Sequence, residues 1–303
     1  MKLLSIGECM VELSGTEEAG VFRTGFAGDT LNTAWYLRAL LPTDWQVGYL
    51  SAVGTDPLSD RMLRFMEDGG IDTSRVQRHP ACVPGLYMID LKDGERSFTY
   101  WRDTAAARTL ADDAERLAAG VADADVIYFS GITIGILTDT ARATLFAALA
   151  KRRTEGARIV FDPNLRPRLW ASTDAMCAAT TEAARLADIA LPSHDDEATW
   201  FGDADPDATA RRYRNLGAAE VLVKNGGADM ALALGDDLRP LPAMDRVTPV
   251  DTTGAGDSFN GGYLAARLTG ASAEEAARRG HAVAMKVVGH RGALIPPEEL
   301  EGL

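Results

Sequence analysis

The sequence has few cysteines and no long apolar run, and these two absences exclude several classes of protein. Its three cysteines, Cys9, Cys82 and Cys177, are odd in number and lack the paired spacing of a zinc site. They predict reduced thiols, as in a cytoplasmic protein, and not a disulfide framework. No apolar run reaches the roughly 18 residues that a membrane span requires. The stretch from Met1 to Glu8 is expected to be a strand and not a signal peptide, because its apolar run is short and ends at a charge.

Basic residues are scarce relative to acidic ones. Thirty-one Lys and Arg residues against 44 Asp and Glu residues give a formal net charge of −13. This charge repels nucleic acids and anionic membrane surfaces at long range, so neither is an expected partner. An anionic small molecule would meet the same repulsion. Its capture would need individually placed arginines.

The order of predicted elements indicates an α/β fold. A chain of 303 residues is long for one ordinary domain, and α/β folds of this size often form one large core with an elaboration. Strands expected over 125–129 and 158–161 flank a helix expected over 138–153, which is typical of the βαβ unit of a parallel sheet. Ligands bind at the carboxyl ends of such strands. The residues that follow each strand are therefore the first candidates for a site.

The most informative stretch is Val250 to Phe259, with the sequence VDTTGAGDSF. Apolar residues then recur at three- and four-residue spacing as far as Leu268, which predicts a helix that starts near Gly254. Small residues at a helix start favour a phosphate site, because free backbone amides and the helix dipole attract an anion. A carboxylate at Asp257 would repel that phosphate. It is therefore expected there only if it serves the reaction, for instance by taking a proton from an attacking hydroxyl. The alternative is that Asp257 only caps the helix.

The string DTTGAGDSF resembles the C-terminal signature of the ribokinase-like (PfkB) family of carbohydrate kinases, and the resemblance extends over nearly the whole chain. It implies a three-layer α/β/α core with a mostly parallel central sheet and a small β-sheet lid. It also implies ATP and Mg²⁺ as cofactors, and a monovalent cation such as K⁺ in some relatives. By the same resemblance, Gly254, Ala255 and Gly256 form the anion hole and Asp257 is the catalytic base.

A second polar segment, FAGDTLNTA, precedes an apolar helix near the N-terminus. Gly28 would let a ligand approach the backbone, while Asp29 and Asn32, one helical turn apart, would present polar groups to hydroxyls. These three residues match the sugar-binding segment of the family. Ala27 stands where relatives have a first glycine. The alternative for Asp29 is a simple helix N-cap.

The pattern between Pro80 and Arg108 changes to a β-hairpin rich in aromatic residues, with strands expected over 85–90 and 96–101 and a turn at 92–94. The resemblance assigns the segments 9–26 and 82–104 to a lid inserted in a single domain that spans 1–303. The hairpin resembles the 2-keto-3-deoxygluconate kinase branch of the family in particular. In that branch, two tyrosines and an arginine of the hairpin contact the sugar acid. Tyr87, Tyr100 and Arg102 match them. The alternative is that the aromatic residues only pack a sheet face.

A loop with two prolines, DPNLRPRLW, follows the strand that ends at Phe161. Arg166 between Pro163 and Pro167 would be held at the strand end, where it could bind an anion. In the branch that the loop resembles, this arginine lies between the nucleotide phosphates and the substrate. The alternative is a solvated surface turn.

The nucleotide side is assigned mainly by resemblance. The turn with Lys224, Gly226 and Gly227 is similar to the family's phosphate-adjacent turn, and Ser193 and His281 are matched to positions near the nucleotide. Many relatives carry Asn-x-x-Glu, linked to magnesium and phosphate through water. This chain has Glu197 but His194 three residues earlier. Glu197 is therefore expected to act on the metal only from the second coordination shell.

These features together predict an ATP-dependent kinase for the primary hydroxyl of a sugar acid, acting as a homo-oligomer in the cytoplasm. Two alternatives remain open. The same fold could act on a neutral sugar of the fructose or ribose type, with Arg102 only packing the lid. It could also be a non-catalytic sugar sensor, although such a binder would have no use for Asp257 beside the glycine turn.

Overall fold

The computed structural model of the protein describes residues 1–16, 18, 20–92 and 95–303. Its strands fall into two sheets. In chain order they are β1 (Lys2–Ile6), β2 (Met10–Gly15), β3 (Phe22–Ala27), β4 (Gln46–Val53), β5 (Val76–Arg78), β6 (Leu86–Lys92), β7 (Glu95–Trp101), β8 (Val126–Ser130), β9 (Arg158–Asp162), β10 (Ile189–Ala190), β11 (Glu220–Val223), β12 (Met230–Leu234) and β13 (Asp237–Leu241).

The main sheet has the order β13-β12-β11-β10-β9-β8-β1-β4-β5. Neighbours are parallel from β11 to β5, while β12 and β13 form an antiparallel edge. Because parallel strands point the same way, the segments that follow β1, β8, β9 and β11 meet at one edge of the sheet. This edge carries the polar residues that the sequence singled out after its strands.

Helices cover both faces of the main sheet. They are α1 (Asp29–Leu40), α2 (Pro57–Asp68), α3 (Ala114–Val121), α4 (Gly131–Ile136), α5 (Asp139–Thr154), α6 (Thr173–Ala184), α7 (His194–Phe201), α8 (Pro206–Asn215), α9 (Ala255–Leu268) and α10 (Ala273–Val288). Alternate residues of β8 take part in different cores: Ile127 and Phe129 pack with α3 to α6, while Val126 and Tyr128 pack with α1, α2, α9 and α10. The predicted three-layer α/β fold is confirmed.

The small sheet has the order β3-β2-β6-β7. The predicted hairpin is present as β6 and β7, which pair antiparallel with Tyr87 directly opposite Tyr100. Asp93 and Gly94 of its predicted turn lie outside the described residues. β3 leads through Gly28 into α1. The small sheet is therefore joined directly to a helix that reaches the site edge of the main sheet.

The helix α4 and the β12–β13 hairpin are among the elements that the sequence did not predict. The short helix α4 follows β8 without a spacer, and Ser130 caps it in a capping box with Thr133. The apolar sequence GITIGI gave no helical period to recognise. The β12–β13 hairpin was also missed. By contrast, the S-x-x-E spacing of Ser272 and Glu275 indicates a capping box, and α10 starts with one.

The start of α4 touches the loop after β9 so closely that only glycine fits. A Cβ atom at Gly131 would lie 1.7 Å from the Pro163 carbonyl oxygen. That oxygen belongs to the DPNLR loop, which therefore rests on the backbone of α4. Gly131 fixes where the loop after β9 can lie.

We expect Gly131→Ala to destabilise the protein by roughly 1–3 kcal/mol or more, because the added methyl group must displace backbone. Gly15→Ala is the control, since a Cβ there would meet no described atom within 4 Å. Thermal unfolding of both variants measures the difference. Equal melting temperatures for the two variants would contradict the close contact.

Candidate functional site

The glycine turn before α9 has the geometry of an anion site. Gly254 adopts a left-handed conformation, with φ of 75°, at the helix start. A Cβ atom there would lie 2.8 Å from the Ala293 carbonyl oxygen, so the turn requires glycine for its close approach to the C-terminal segment. No side chain among the described residues caps this helix. First-turn amides without a cap attract an anion.

Asp251 ties this turn to the rest of the chain. Its Oδ1 accepts hydrogen bonds from the Thr253 backbone N–H at 3.0 Å and hydroxyl at 2.8 Å. Its Oδ2 accepts from the Gly292 N–H at 2.6 Å. The Ala255 N–H donates to the Thr252 carbonyl oxygen. The turn is thus held from both sides before any ligand binds.

Asp257 is not a helix cap. It is the third residue of α9, and its Oδ2 accepts a hydrogen bond from Asn32 Nδ2 at 2.8 Å. Burial, with the nearby charge of Asp29 as the next cause, raises the pKa of Asp257 to about 7. A carboxylate with such a pKa is suited to act as a general base near neutral pH. The capping alternative for this residue is not supported.

Asp29 and Asn32 meet Asp257 from α1. Asp29 is the first residue of α1 and not its cap, and its Oδ2 accepts from Asn164 Nδ2 at 2.7 Å. Burial raises the pKa of Asp29. The Asn32 Oδ1 accepts from the Gly28 N–H at 3.3 Å while its Nδ2 holds Asp257. Asn32 therefore orients the base as well as bordering the expected sugar site.

A buried polar network lies behind Asp257. Lys224 Nζ donates to Asp162 Oδ2 at 3.3 Å and to Asn260 Oδ1 at 3.1 Å. The Asn260 amide donates to the same Asp162 oxygen at 2.7 Å and to the Tyr128 hydroxyl at 3.1 Å. Lys224 Nζ also lies 3.8 Å from the position of a Cβ at Gly256, so it borders the glycine turn.

Three members of this site were missed by sequence reasoning: Asp162, Asn164 and Asn260. Two signals pointed to them. Asp162 and Asn164 stand at the carboxyl end of a parallel strand, where ligand residues collect. Asn260 follows Asp257 by three residues and so shares a face of α9 with it.

A cavity of about 450 Å³ adjoins the glycine turn. Seven residues assigned to the anion hole or the nucleotide line it: Ser193, Lys224, Gly226, Gly227, Ala255, Gly256 and His281. Apolar side chains, among them Met244, Val247 and Met285, form much of the remaining wall. Apolar walls with a few polar groups are typical of a cofactor site. His281 is fixed by a 2.6 Å hydrogen bond between its Nε2 and the Asp245 carbonyl oxygen.

The predicted substrate residues of the small sheet already have protein partners. The Tyr87 hydroxyl donates to Glu12, and the Arg102 guanidinium donates to Glu8. Tyr100 stacks at a tilt on Tyr87, with ring centroids 5.9 Å apart. Tyr100 and Arg102 line a second cavity of about 430 Å³. Glu8 and Glu12 therefore hold these hairpin side chains in place before any ligand binds.

Arg166 lies on the loop after β9, and half of its side chain is exposed. Its Nη1 donates to the Leu165 carbonyl oxygen at 2.8 Å and lies 3.6 Å from Asp196 Oδ2. Burial raises the pKa of Asp196, and Arg166 opposes that rise. Arg166 is thus an accessible cation at the edge that carries the site.

Glu197 is held by residues of α8. Its carboxylate is fully buried and accepts hydrogen bonds from Arg212 at 2.5 Å and from the Tyr213 hydroxyl at 2.8 Å. These partners join α7 to α8, and the second-shell role of Glu197 at a metal stays a prediction. Asp195, two residues earlier on α7, lines the cavity beside the glycine turn.

Two further absences concern the described residues only. In ranges 1–16, 20–92 and 95–303 and at residue 18, no group of three or more His, Cys, Asp and Glu side chains is arranged to hold a metal ion. None of the helices in that part of the chain combines the length and hydrophobicity that crossing a bilayer requires.

The raised pKa of Asp257 predicts how stability depends on pH. In the folded state this carboxyl keeps its proton up to about pH 7, whereas in the unfolded chain it loses the proton near pH 4. Between these values folding binds a proton, so the free energy of unfolding falls as pH rises. Asp257→Asn removes the titrating carboxyl group and with it this decrease in the free energy of unfolding. We expect its melting temperature to rise relative to wild type from about pH 5 to about pH 8. A difference that stays constant over this range would contradict the raised pKa.

Comparison with known proteins gives the family. Residues 1–300 match the family described as pfkB family carbohydrate kinase. The chain is 41% identical over 306 residues to the 2-dehydro-3-deoxygluconokinase of Escherichia coli (strain K12), covering 99% of this chain and 98% of the relative. It is 41% identical over 302 residues to the protein of the same name from Dickeya dadantii (strain 3937), covering 97% of each. The crystal structure of a PfkB protein from Polaromonas sp. JS666 superposes with a TM-score of 0.86 at 28% identity, covering 99% and 98%. The chain therefore belongs to the pfkB family of carbohydrate kinases.

Proposed function

We propose that the protein transfers the γ-phosphoryl group of ATP to the primary hydroxyl of 2-dehydro-3-deoxygluconate, which is 2-keto-3-deoxygluconate, to give the 6-phosphate. The observation that carries this proposal is a partly buried carboxylate, with a pKa raised to about 7, on the first turn of the helix that starts at the glycine turn. A base and an anion site on one helix turn are what phosphoryl transfer to an alcohol needs. The names of the relatives that are 41% identical support the choice of acceptor.

In this mechanism Asp257 takes the proton of the sugar hydroxyl as that oxygen attacks the γ-phosphorus atom, whose bond to the bridging oxygen breaks and releases ADP. The backbone of Gly254, Ala255 and Gly256 receives the negative charge of the transferred group, and Lys224 adds a positive charge beside it. Asn32 holds the carboxylate of Asp257 in place by its 2.8 Å hydrogen bond. The protein thus supplies position and charge and forms no covalent intermediate.

ATP would occupy the cavity of about 450 Å³, with its base among the apolar residues near His281 and its phosphates towards Lys224, Gly226 and Gly227. Mg²⁺ that accompanies nucleotide phosphates needs only one or two protein carboxylates and otherwise binds water. Asp195 on the cavity wall and Asp196 beside it offer such oxygens. The bound ion would neutralise phosphate charge.

The sugar acid would lie between α1 and the small sheet. Gly28, Asp29 and Asn32 would contact its hydroxyls, and Tyr87, Tyr100, Arg102 and Arg166 would surround its acidic end. A charged hydrogen bond contributes about 1.5–3 kcal/mol, which a protein of net charge −13 needs in order to bind an acid. Arg102 and Arg166 are the two cations proposed for this purpose.

One observation favours a second candidate, a kinase for a neutral sugar. Arg102 is already paired with the buried carboxylate of Glu8. A guanidinium that is neutralised in this way attracts a substrate carboxylate less than a free one does. A neutral ketose would bind without using that cation.

Several features remain predictions. The homo-oligomer, the cytoplasmic location and the lid segments within one domain come from the sequence. So does a monovalent cation near Asp251 and Thr253. The exposed aromatic residues of β7, Tyr100 at 44% and Trp101 at 55%, are compatible with a contact between copies of the chain.

Loss of the base should stop transfer without stopping nucleotide binding. We expect Asp257→Asn to lower the turnover number by about two to four powers of ten and to leave ATP affinity nearly unchanged. In the wild type, kcat/KM should fall about tenfold per pH unit below about pH 7. Steady-state kinetics measure the turnover number and the pH dependence of kcat/KM, and isothermal titration measures the affinity for ATP. Normal turnover in Asp257→Asn would remove this mechanism.

Substrate choice is tested by phosphate transfer from ATP to a panel of aldonic acids, keto-deoxy acids and neutral sugars. We expect the wild type to prefer 2-dehydro-3-deoxygluconate. Arg102→Ala should raise KM for that acid about tenfold or more, because a charged hydrogen bond is lost, with a smaller effect on KM for ATP. A wild type that prefers fructose or ribose would favour the neutral-sugar candidate. An equal rise of both KM values in Arg102→Ala would remove the role of Arg102.

A further inference from the structure

Glu8 is a buried acidic residue that takes no part in the proposed mechanism. Glu8 follows β1 at the edge of the main sheet where the site lies, and it is only 2% exposed. A buried carboxylate is costly unless it is paired and fully hydrogen-bonded. Its partner is Arg102, from the end of β7 in the small sheet. The pair therefore connects the two sheets beside the proposed sugar site.

The backbone around this pair is shaped to admit it. A Cβ atom at Gly85 would lie 2.6 Å from Glu8 Oε1 and 3.2 Å from the Arg102 Cβ. Gly85 directly precedes β6, so the backbone of the hairpin lies against both side chains of the pair. A larger residue at this position would require Glu8 or the hairpin backbone to move.

The pair is incompletely satisfied. Glu8 Oε1 and Arg102 Nε are both buried and, among the described residues, have no hydrogen-bond partner. Another buried glutamate with an arginine partner, Glu220, has both carboxylate oxygens bonded, Oε1 to Tyr263 and Arg267 and Oε2 to Arg267. An unused donor beside the site is expensive for stability alone. Stability alone therefore explains the pair poorly, and Arg102 also lines the second cavity, of about 430 Å³.

We propose that Glu8 is the positioning residue for Arg102, holding its guanidinium so that the remaining donors face the carboxylate of the substrate. The inference rests on the proposed function, because it gives Arg102 a sugar acid to bind. An arginine gains most from an anion when its planar group is fixed before binding. Glu8 reduces the net positive charge at Arg102 but fixes the orientation of its guanidinium group. The pair would therefore distinguish between substrates by geometry.

The test compares KM for 2-dehydro-3-deoxygluconate and for ATP in wild type, Glu8→Gln, Arg102→Ala and the double variant. We expect Glu8→Gln to raise KM for the acid about tenfold, with kcat and KM for ATP within about twofold of wild type. The double variant should be no worse than Arg102→Ala, because Glu8 acts only through Arg102. Glu220→Gln is the matched control: it also breaks a buried glutamate–arginine pair, with Arg267, and it should lower the melting temperature while leaving KM for the acid unchanged.

A purely structural pair would give a different result. Glu8→Gln and Glu220→Gln would then lower the melting temperature alike, and Glu8→Gln would leave KM for the acid unchanged. That outcome would overturn the inference. A fall in KM for the acid in Glu8→Gln would also overturn it, and so would a double variant in which the KM effects of the two single variants add. If Glu8→Gln does not fold, Glu8→Asp is used. It keeps the charge but shortens the reach, so a rise in the same KM is still expected, and a wild-type value would overturn the inference.

The two levels of the account fail separately. Absence of wild-type turnover with the acid would overturn the proposed function and this inference with it. Wild type and Arg102→Ala behaving as proposed, with Glu8→Gln equal to wild type, would overturn the inference alone.

Discussion

Burial of several carboxylates in one site is the constraint on which the rest of the structure depends. Asp29 and Asp162 are buried, the partly buried Asp257 lies beside them, and the ammonium group of Lys224 faces this cluster. Charges in such surroundings are stable only when other polar groups compensate them. Three amides do so: Asn164 bonds Asp29, Asn260 bonds Asp162 and Asn32 bonds Asp257. The residual repulsion and the burial give Asp257 a pKa suited to a base.

The fold serves this cluster by bringing distant segments to one edge. β9 contributes Asp162, the end of β11 contributes Lys224, and the helices α1 and α9 contribute the other two acids. These helices pack closely because α9 carries glycine where they meet: a Cβ at Gly261 would lie 2.5 Å from the Tyr36 Cβ. That approach lets Asn32 reach Asp257. Packing of two helices thus sets the geometry of the base.

Local sequence patterns predicted what depends on local structure. The glycine turn, the start of α9 and the β6–β7 hairpin follow from small residues, helical spacing and strand alternation. Partners from distant parts of the chain did not follow. Nothing local to Glu8 indicates that it meets Arg102, 94 residues later, and nothing near Glu197 indicates that α8 will bury it. The motif spacing does not reveal which face of α7 points into the protein, so the second-shell role of Glu197 stays a prediction.

The most direct test of the central claim is a crystal structure with 2-dehydro-3-deoxygluconate and a non-hydrolysable ATP analogue bound together. The account predicts that an oxygen of Asp257 lies within about 3.2 Å of the primary hydroxyl, while the terminal phosphate contacts the backbone at 254–256. An Asp257 carboxylate that faces solvent, distant from both ligands, would contradict it.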